Sequence, residues 1–230
     1  MMIKDKYIEY LQCIQHLDNS PRMQELKRAI WKHIFKEDDN MRKSNYLIIT
    51  QSKDGGAYGL LLNCRHVTVE HLKAVGASEN RINSYLKQKL IERVQTQDFN
   101  GYRLTDKGYR QFDRALDGWD NKRYHSQSPR HDSRLADRYI ECYKSNPNFV
   151  WMNEEDLKGY KREMVSYLRE NGYHERAESL ERSSAPDCVY SVDGTCIAYD
   201  VITDNYSNVD IQLKQDFCTE MQCDFKYDKI

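Results

Sequence analysis

The stretch from Val69 to Leu116 constrains this chain most, because helix and hairpin signals follow one another in it without overlap. Val69 to Ala77 spaces its apolar residues as a helix does and breaks at Gly76. Ser78 then stands as an N-cap for a second helix, Glu79 to Glu92, with Ile82, Tyr85, Leu86, Leu90 and Ile91 turned inward. After Val94 comes a polar run containing Asn100-Gly101, a tight hairpin signal, and Tyr102-Arg103-Leu104 returns as a strand. Thr105 caps a closing helix that carries Tyr109, Phe112 and Leu116. Two helices, a hairpin and a closing helix in that order predict a winged helix-turn-helix.

A winged helix commonly lays its second helix in the major groove of double-stranded DNA. Two alternatives stay open: a helix–hairpin–helix with no ligand, and a winged helix that contacts protein, which would make the chain a protein–protein adaptor. On the DNA-binding reading the contacts come from Ser78, Asn80, Arg81, Asn83, Ser84 and Lys87. Arg81 suits a guanine edge and Asn83 an adenine edge, while Lys89, Arg93 and Arg103 take phosphates. A net charge of −1 conceals an asymmetry that agrees with this. Residues 1–125 hold 22 Lys+Arg against 16 Asp+Glu, and residues 126–230 hold 13 against 20. The half with the helix-turn-helix is the basic one, the sign expected of the half that meets phosphate.

Ahead of that stretch, Ile3 to Leu17 reads as a helix, and Ser20-Pro21 opens a second one through Leu26, Ile30, Ile34 and Phe35. Helices in that position suggest a homodimer. Tyr46 to Thr50 and Tyr58 to Leu62 read as two strands around Asp54-Gly55-Gly56. Residues 117–133 lose periodicity and read as a linker. The expected organisation is therefore α+β: a helical N-terminus and winged helix over 1–118, a linker over 119–132, and a small α/β domain over 133–230. With 31% charged and 39% hydrophobic residues the composition is globular. No apolar run approaches a membrane span and the first twenty residues lack a signal-peptide core, which predicts a cytoplasmic protein with no membrane partner. Seven cysteines without regular spacing fit reduced thiols better than a disulfide framework, and no pair has a zinc-site spacing.

In the acidic half, residues 132–143 recover helical spacing, residues 148–152 are strand-like, and residues 154–171 form an amphipathic helix with Leu157, Tyr160, Met164 and Leu168 inward. Cys188 to Val192 and Thr195 to Thr203 are strands on either side of an Asp193-Gly194 turn. A hairpin centred there sets Asp187 and Asp200 nearly opposite. Two carboxylates so placed can converge on one Mg²⁺ or Mn²⁺ ion, which takes few protein ligands and keeps waters. Such an ion can activate a water and stabilise a pentavalent phosphate. A following helix, capped by Ser207 with Val209, Leu213 and Phe217 on one face, brings Lys214 within reach of the same place. Gln222 to Tyr227 alternates as a half-buried strand with Cys223, Phe225 and Tyr227 inward. The competing reading is turn chemistry, since Pro-Asp opens many strands and a terminal aspartate often caps the next turn.

His131-Asp132 with Leu135-Ala136, Trp151 with Glu154, Pro186-Asp187, Gly194 and Asp200 stand in the order found in the replication-relaxation proteins of plasmids and conjugative elements, and the chain resembles that family over residues 69–205. The resemblance implies a winged helix joined to a PD-(D/E)XK nuclease-like domain, with Asp187 and Asp200 as catalytic, metal-holding acids. In the nuclease motif a lysine follows the second acid after one residue, whereas Asp200-Val201-Ile202 has isoleucine there. Either Lys214 replaces it from the next helix or the site is inactive. The resemblance therefore implies a DNA-binding protein of a mobile genetic element, acting in plasmid replication, transfer or its regulation, with a weak or inactive nuclease-like domain. The alternative is a metal-dependent DNA endonuclease or nickase that uses Asp187, Asp200 and Lys214.

Overall fold

The computed structural model describes residues 47–116, 122–126, 128–146, 149–192 and 195–230. The helices expected over 3–17 and 20–35, the homodimer expected through them, and the Asp193-Gly194 turn lie outside these residues. The chain is α+β, with eight helices and two small sheets among the described residues. None of those helices is long and apolar enough to cross a membrane.

The first part is a helix cluster on a two-stranded sheet. Helix α1 (Gln51–Cys64) is followed by α2 (Val69–Ala74), α3 (Glu79–Lys87), β1 (Ile91–Gln95), β2 (Asn100–Leu104) and α4 (Asp106–Ala115). Thr68, Ser78 and Thr105 each cap their helix by accepting a backbone N–H with the side-chain hydroxyl. Helix α3 ends at Lys87, five residues before the expected Glu92, since Lys89 turns to a φ of 57° and the chain enters β1 at Ile91. The hairpin turn lies over residues 96–99, closed by the Thr96 N–H on the Phe99 carbonyl at 2.8 Å, and Asn100 and Gly101 are instead the first residues of β2. Val67 adds a third short bridge through reciprocal hydrogen bonds with Tyr102. Gly101 lies directly under the Val67 carbonyl and Gly108 under that of Leu90, approaches a Cβ would block.

Residues 51–64 are a correction to the expected β-hairpin. Asp54 accepts the Thr50 N–H at 2.6 Å, as an acid in the first turn of a helix does. From Ala57 to Cys64 every residue of α1 is buried. A helix covered all round shows no helical periodicity, so its apolar run reads equally well as a strand.

The second part is a four-stranded sheet between helical layers. Its elements are α5 (Pro129–Ser145), β3 (Val150–Asn153), α6 (Glu154–Glu170), α7 (His174–Arg182), β4 (Cys188–Val192), β5 (Thr195–Ile202), α8 (Asn208–Met221) and β6 (Asp224–Lys229). The sheet runs β3-β4-β5-β6, antiparallel except for the last pair, which is parallel and joined by the α8 crossover. Side chains alternate across it. Cys188, Tyr190, Tyr199 and Val201 join the core that includes α1 and α5, whereas Val189 and Ala198 pack with Leu157, Leu168, Leu180 and Phe217. Several residues expected to face inward do not: Tyr160, Val209 and Tyr227 are exposed. Tyr227 sits on the outermost strand, and the buried face of α8 is Lys214, Phe217 and Cys218.

The expectation of reduced thiols fails for one pair. Cys196 and Cys223, 27 residues apart, form a disulfide because parallel pairing of β5 and β6 sets their Cα atoms 4.8 Å apart. Cys64, Cys142, Cys188 and Cys218 are free and buried.

Residues on either side of the expected linker pack together. Residues 47–230 form a compact unit, and one continuous core joins α1, α3 and α4 to α5, β3, β4 and β5. Within it Asn153 Nδ2 donates to Asn63 Oδ1 at 3.0 Å, and the Tyr124 N–H to the Leu62 carbonyl at 2.9 Å.

Candidate functional site

The β4–β5 register pairs Cys188 with Tyr199, so the residues flanking that pair, Asp187 and Asp200, meet. The Asp187 N–H donates to Asp200 Oδ2 at 3.3 Å, and the Val201 N–H to Asp187 Oδ2 at 2.7 Å. Two turns into α8, Lys214 reaches back over the strand ends. Its Nζ stands 2.6 Å from Asp200 Oδ2 and 3.1 Å from the Ala185 carbonyl, over the Tyr206 ring. The structure thus brings Asp187, Asp200 and Lys214 together, all three buried.

Two further side chains join them that spacing alone did not place. Helix α5 begins at Pro129, inside the expected linker, and Ser128 caps it. His131 is therefore in its first turn, with Nε2 2.9 Å from Asp187 Oδ2 and Nδ1 3.2 Å from Asp132 Oδ1. Tyr124, also from the expected linker, points its hydroxyl at Asp187 Oδ1 from 3.5 Å. The Ser128-Pro129 pair is a helix-start signal of the same kind as Ser20-Pro21 and locates His131 from sequence. Nothing in the local sequence marks Tyr124.

Electrostatics separate the two acids. Burial raises both, but for Asp187 the hydrogen bond and charge of His131 outweigh it and hold the carboxyl below its ordinary value. Asp200 is pushed up to about 7, by burial first and by the Asp187 charge second, which Lys214 offsets only in part. Lys214 itself loses from burial and gains more from the two carboxylates, so its ammonium stays charged and Asp200 is the member of the pair that titrates. His131 is lowered by burial and raised further by its hydrogen bonds to Asp132 and Asp187, reaching about 10.

Could this centre hold a cation? Asp200 Oδ1 is buried without a hydrogen-bond partner, an orphan that a cation would satisfy. Among the described residues no three His, Cys, Asp or Glu side chains surround a common metal position, so an ion here would rest on the two aspartates and water. The donor set fits Mg²⁺ or Mn²⁺, which accept few carboxylates and retain their waters.

The candidate DNA-contacting residues divide. Asn80, Asn83, Lys87, Lys89 and Arg93 are exposed along α3 and into β1. Ser78 is occupied as the α3 cap, accepting the Arg81 N–H at 3.3 Å, and Ser84 Oγ donates to the Asn80 carbonyl at 2.8 Å. Arg103 pairs with Glu92 across the hairpin at 2.7 Å. Arg81 is held within the protein. Its guanidinium makes two bonds to the fully buried Asp54, which also accepts the Tyr85 hydroxyl.

Comparison with family models, with curated proteins and with solved structures finds no match.

Proposed function

We propose that this chain is a DNA-processing protein of a mobile genetic element, which holds duplex DNA with a winged helix and nicks or cuts it at the Asp187–Asp200–Lys214 centre. Its likeness to replication-relaxation proteins motivates the cellular setting. The order α1-α2-α3-β1-β2-α4, with the Val67 bridge beside the hairpin, supports reading residues 51–116 as a winged helix. Helix α5, the mixed sheet and the α8 crossover support the nuclease-like reading of the remainder.

One observation carries the cleavage reading: the lysine absent from Asp200-Val201-Ile202 is supplied by α8, with Lys214 Nζ 2.6 Å from Asp200. Mg²⁺ or Mn²⁺ held by Asp187 and Asp200 would supply Lewis-acid stabilisation of the phosphate. Lys214 holds the Asp200 carboxylate in place and adds fixed positive charge where charge develops on phosphate oxygens. A second reading, DNA binding without cleavage, is favoured by charge balance. His131 and Lys214 already neutralise the two acids and would make the cluster a structural ion network.

Supercoiled plasmid incubated with the full chain and Mn²⁺ separates these. Cleavage predicts nicked product that chelator abolishes and that Asp200→Ala and Lys214→Ala lose, with binding to duplex DNA retained. Retardation of duplex DNA with no nicking at any Mn²⁺ concentration selects the binding protein. Absence of retardation at low salt, where phosphate contacts are strongest, rejects both and leaves the adaptor.

A further inference from the structure

Two His–Asp pairs tie the segment 64–74 to α5, and one of them continues into the acid centre. His71 Nε2 donates to Asp137 Oδ1 at 3.0 Å at a half-exposed position. One turn earlier on α5, His66 Nδ1 donates to Asp132 Oδ2 at 2.6 Å, with both side chains buried. From Asp132 the contacts run on through His131 Nδ1 to His131 Nε2 and so to Asp187. A carboxylate only accepts, so Asp132 takes an N–H from each ring and fixes His131 about its bonds. An imidazole pinned at one nitrogen offers the other along one line, which is how outer partners commonly aim a functional side chain.

We propose that Asp132 is a positioning residue of the acid centre: it clamps His131 onto Asp187 and is itself clamped from the helix–hairpin side by His66. This role rests on the reading of that centre as a phosphodiester-cleaving site. Without the clamp the His131 ring can rotate, and Asp187 Oδ2 keeps only the Val201 N–H of its two partners. Its Oδ1, met only by the Tyr124 hydroxyl at 3.5 Å, is then less narrowly directed.

Plasmid nicking in Mn²⁺ by the full chain tests it, with kcat and KM for DNA measured separately. Asp132→Asn and His66→Gln should each lower kcat about tenfold or more, the usual size of such effects, at unchanged KM. Asp137→Asn takes the charge out of the parallel pair between the same elements and should leave kcat as it was. His66→Gln keeps the test alive should Asp132→Asn fail to fold. An equal fall in Asp137→Asn, or full kcat in His66→Gln, overturns the clamp. If the wild type shows no Mn²⁺-dependent nicking, the cleavage reading falls and the clamp is judged separately by nitrogen-resolved NMR of the histidine rings. His66→Gln should then move the His131 ring signals and His71→Gln should not. Unmoved His131 signals in His66→Gln overturn the clamp whatever the activity.

Discussion

At His131, burial and hydrogen bonding pull in opposite directions, and the outcome sets how stability depends on pH. The ring's ordinary value of 6.5 rises to about 10 in the fold. A group raised on folding contributes its full stabilisation below the unfolded value and loses it as pH climbs through the folded one. Wild type should therefore exceed His131→Gln in thermal stability at pH 6.5, and the gap should close towards pH 10. A gap that widens over that range would show the ring to be neutral in the fold. Asp187 is the converse case: held below 3.8, it contributes above that value and loses its contribution as pH falls. The free thiols are a second residue-scale case. Burial pushes Cys142 up to about 11 and Cys218 up to about 12, and Cys64 and Cys188 are also raised well above the usual thiol range. Since the thiolate is the reactive form, none of these four should be labelled by a water-soluble disulfide reagent at neutral pH until denaturant is added. Mass mapping of labelled peptides checks this, and rapid native labelling of any of the four would contradict it.

Element by element, legibility followed the reach of the interactions. Helices at Ser78, Thr105 and Ser207 were readable, since each of these residues caps within its own first turn. The β4–β5 hairpin and the opposition of Asp187 with Asp200 were readable because period-two pairing needs only the turn position. Helix α1 was not. Asp54-Gly55-Gly56 carries strong turn chemistry, and what overrides it is the pairing of Asp54 with Arg81 and Tyr85 from α3, contacts no local window contains. The same contact makes Arg81 a strut between two helices. Breaking a buried ion pair from one side costs about 3–5 kcal/mol, because the partner charge is stranded. Arg81 is 17% exposed at its side chain and recovers some solvation, so Asp54→Ala should lie at the lower end, about 3 kcal/mol. Denaturant unfolding monitored by circular dichroism measures this. A loss under about 0.5 kcal/mol, the range of an ordinary surface change, would mean that packing alone holds α1 as a helix.

At the scale of the whole molecule, the sequence suggested a basic reader and an acidic domain on a tether, and residues 47–230 share a core. A linker was expected where the pattern of residues 117–133 broke down, but Tyr124 within it is buried and its N–H bonds to Leu62 of α1. Loss of periodicity marks the absence of a regular element, which differs from the absence of packing. On the far side, Tyr190 stacks on Trp151 and Tyr139 meets it edge-on, in the same cluster as Leu60, Leu61 and Tyr58. A fragment 133–230 would expose that aromatic face and leave Asn153 without Asn63, and it would also lose His131, which orients Asp187. Such a fragment should therefore show no cooperative thermal transition, whereas the intact chain melts residues 47–230 as one unit. Calorimetry of both, with hydrogen exchange of α1 and β5 in the intact chain, makes the comparison. If the two elements exchange with the same opening free energy, the helix–hairpin part and the acid centre are one cooperative body. If the fragment melts sharply by itself and α1 opens well before β5, the core at that seam contributes little and a tethered arrangement describes the protein better.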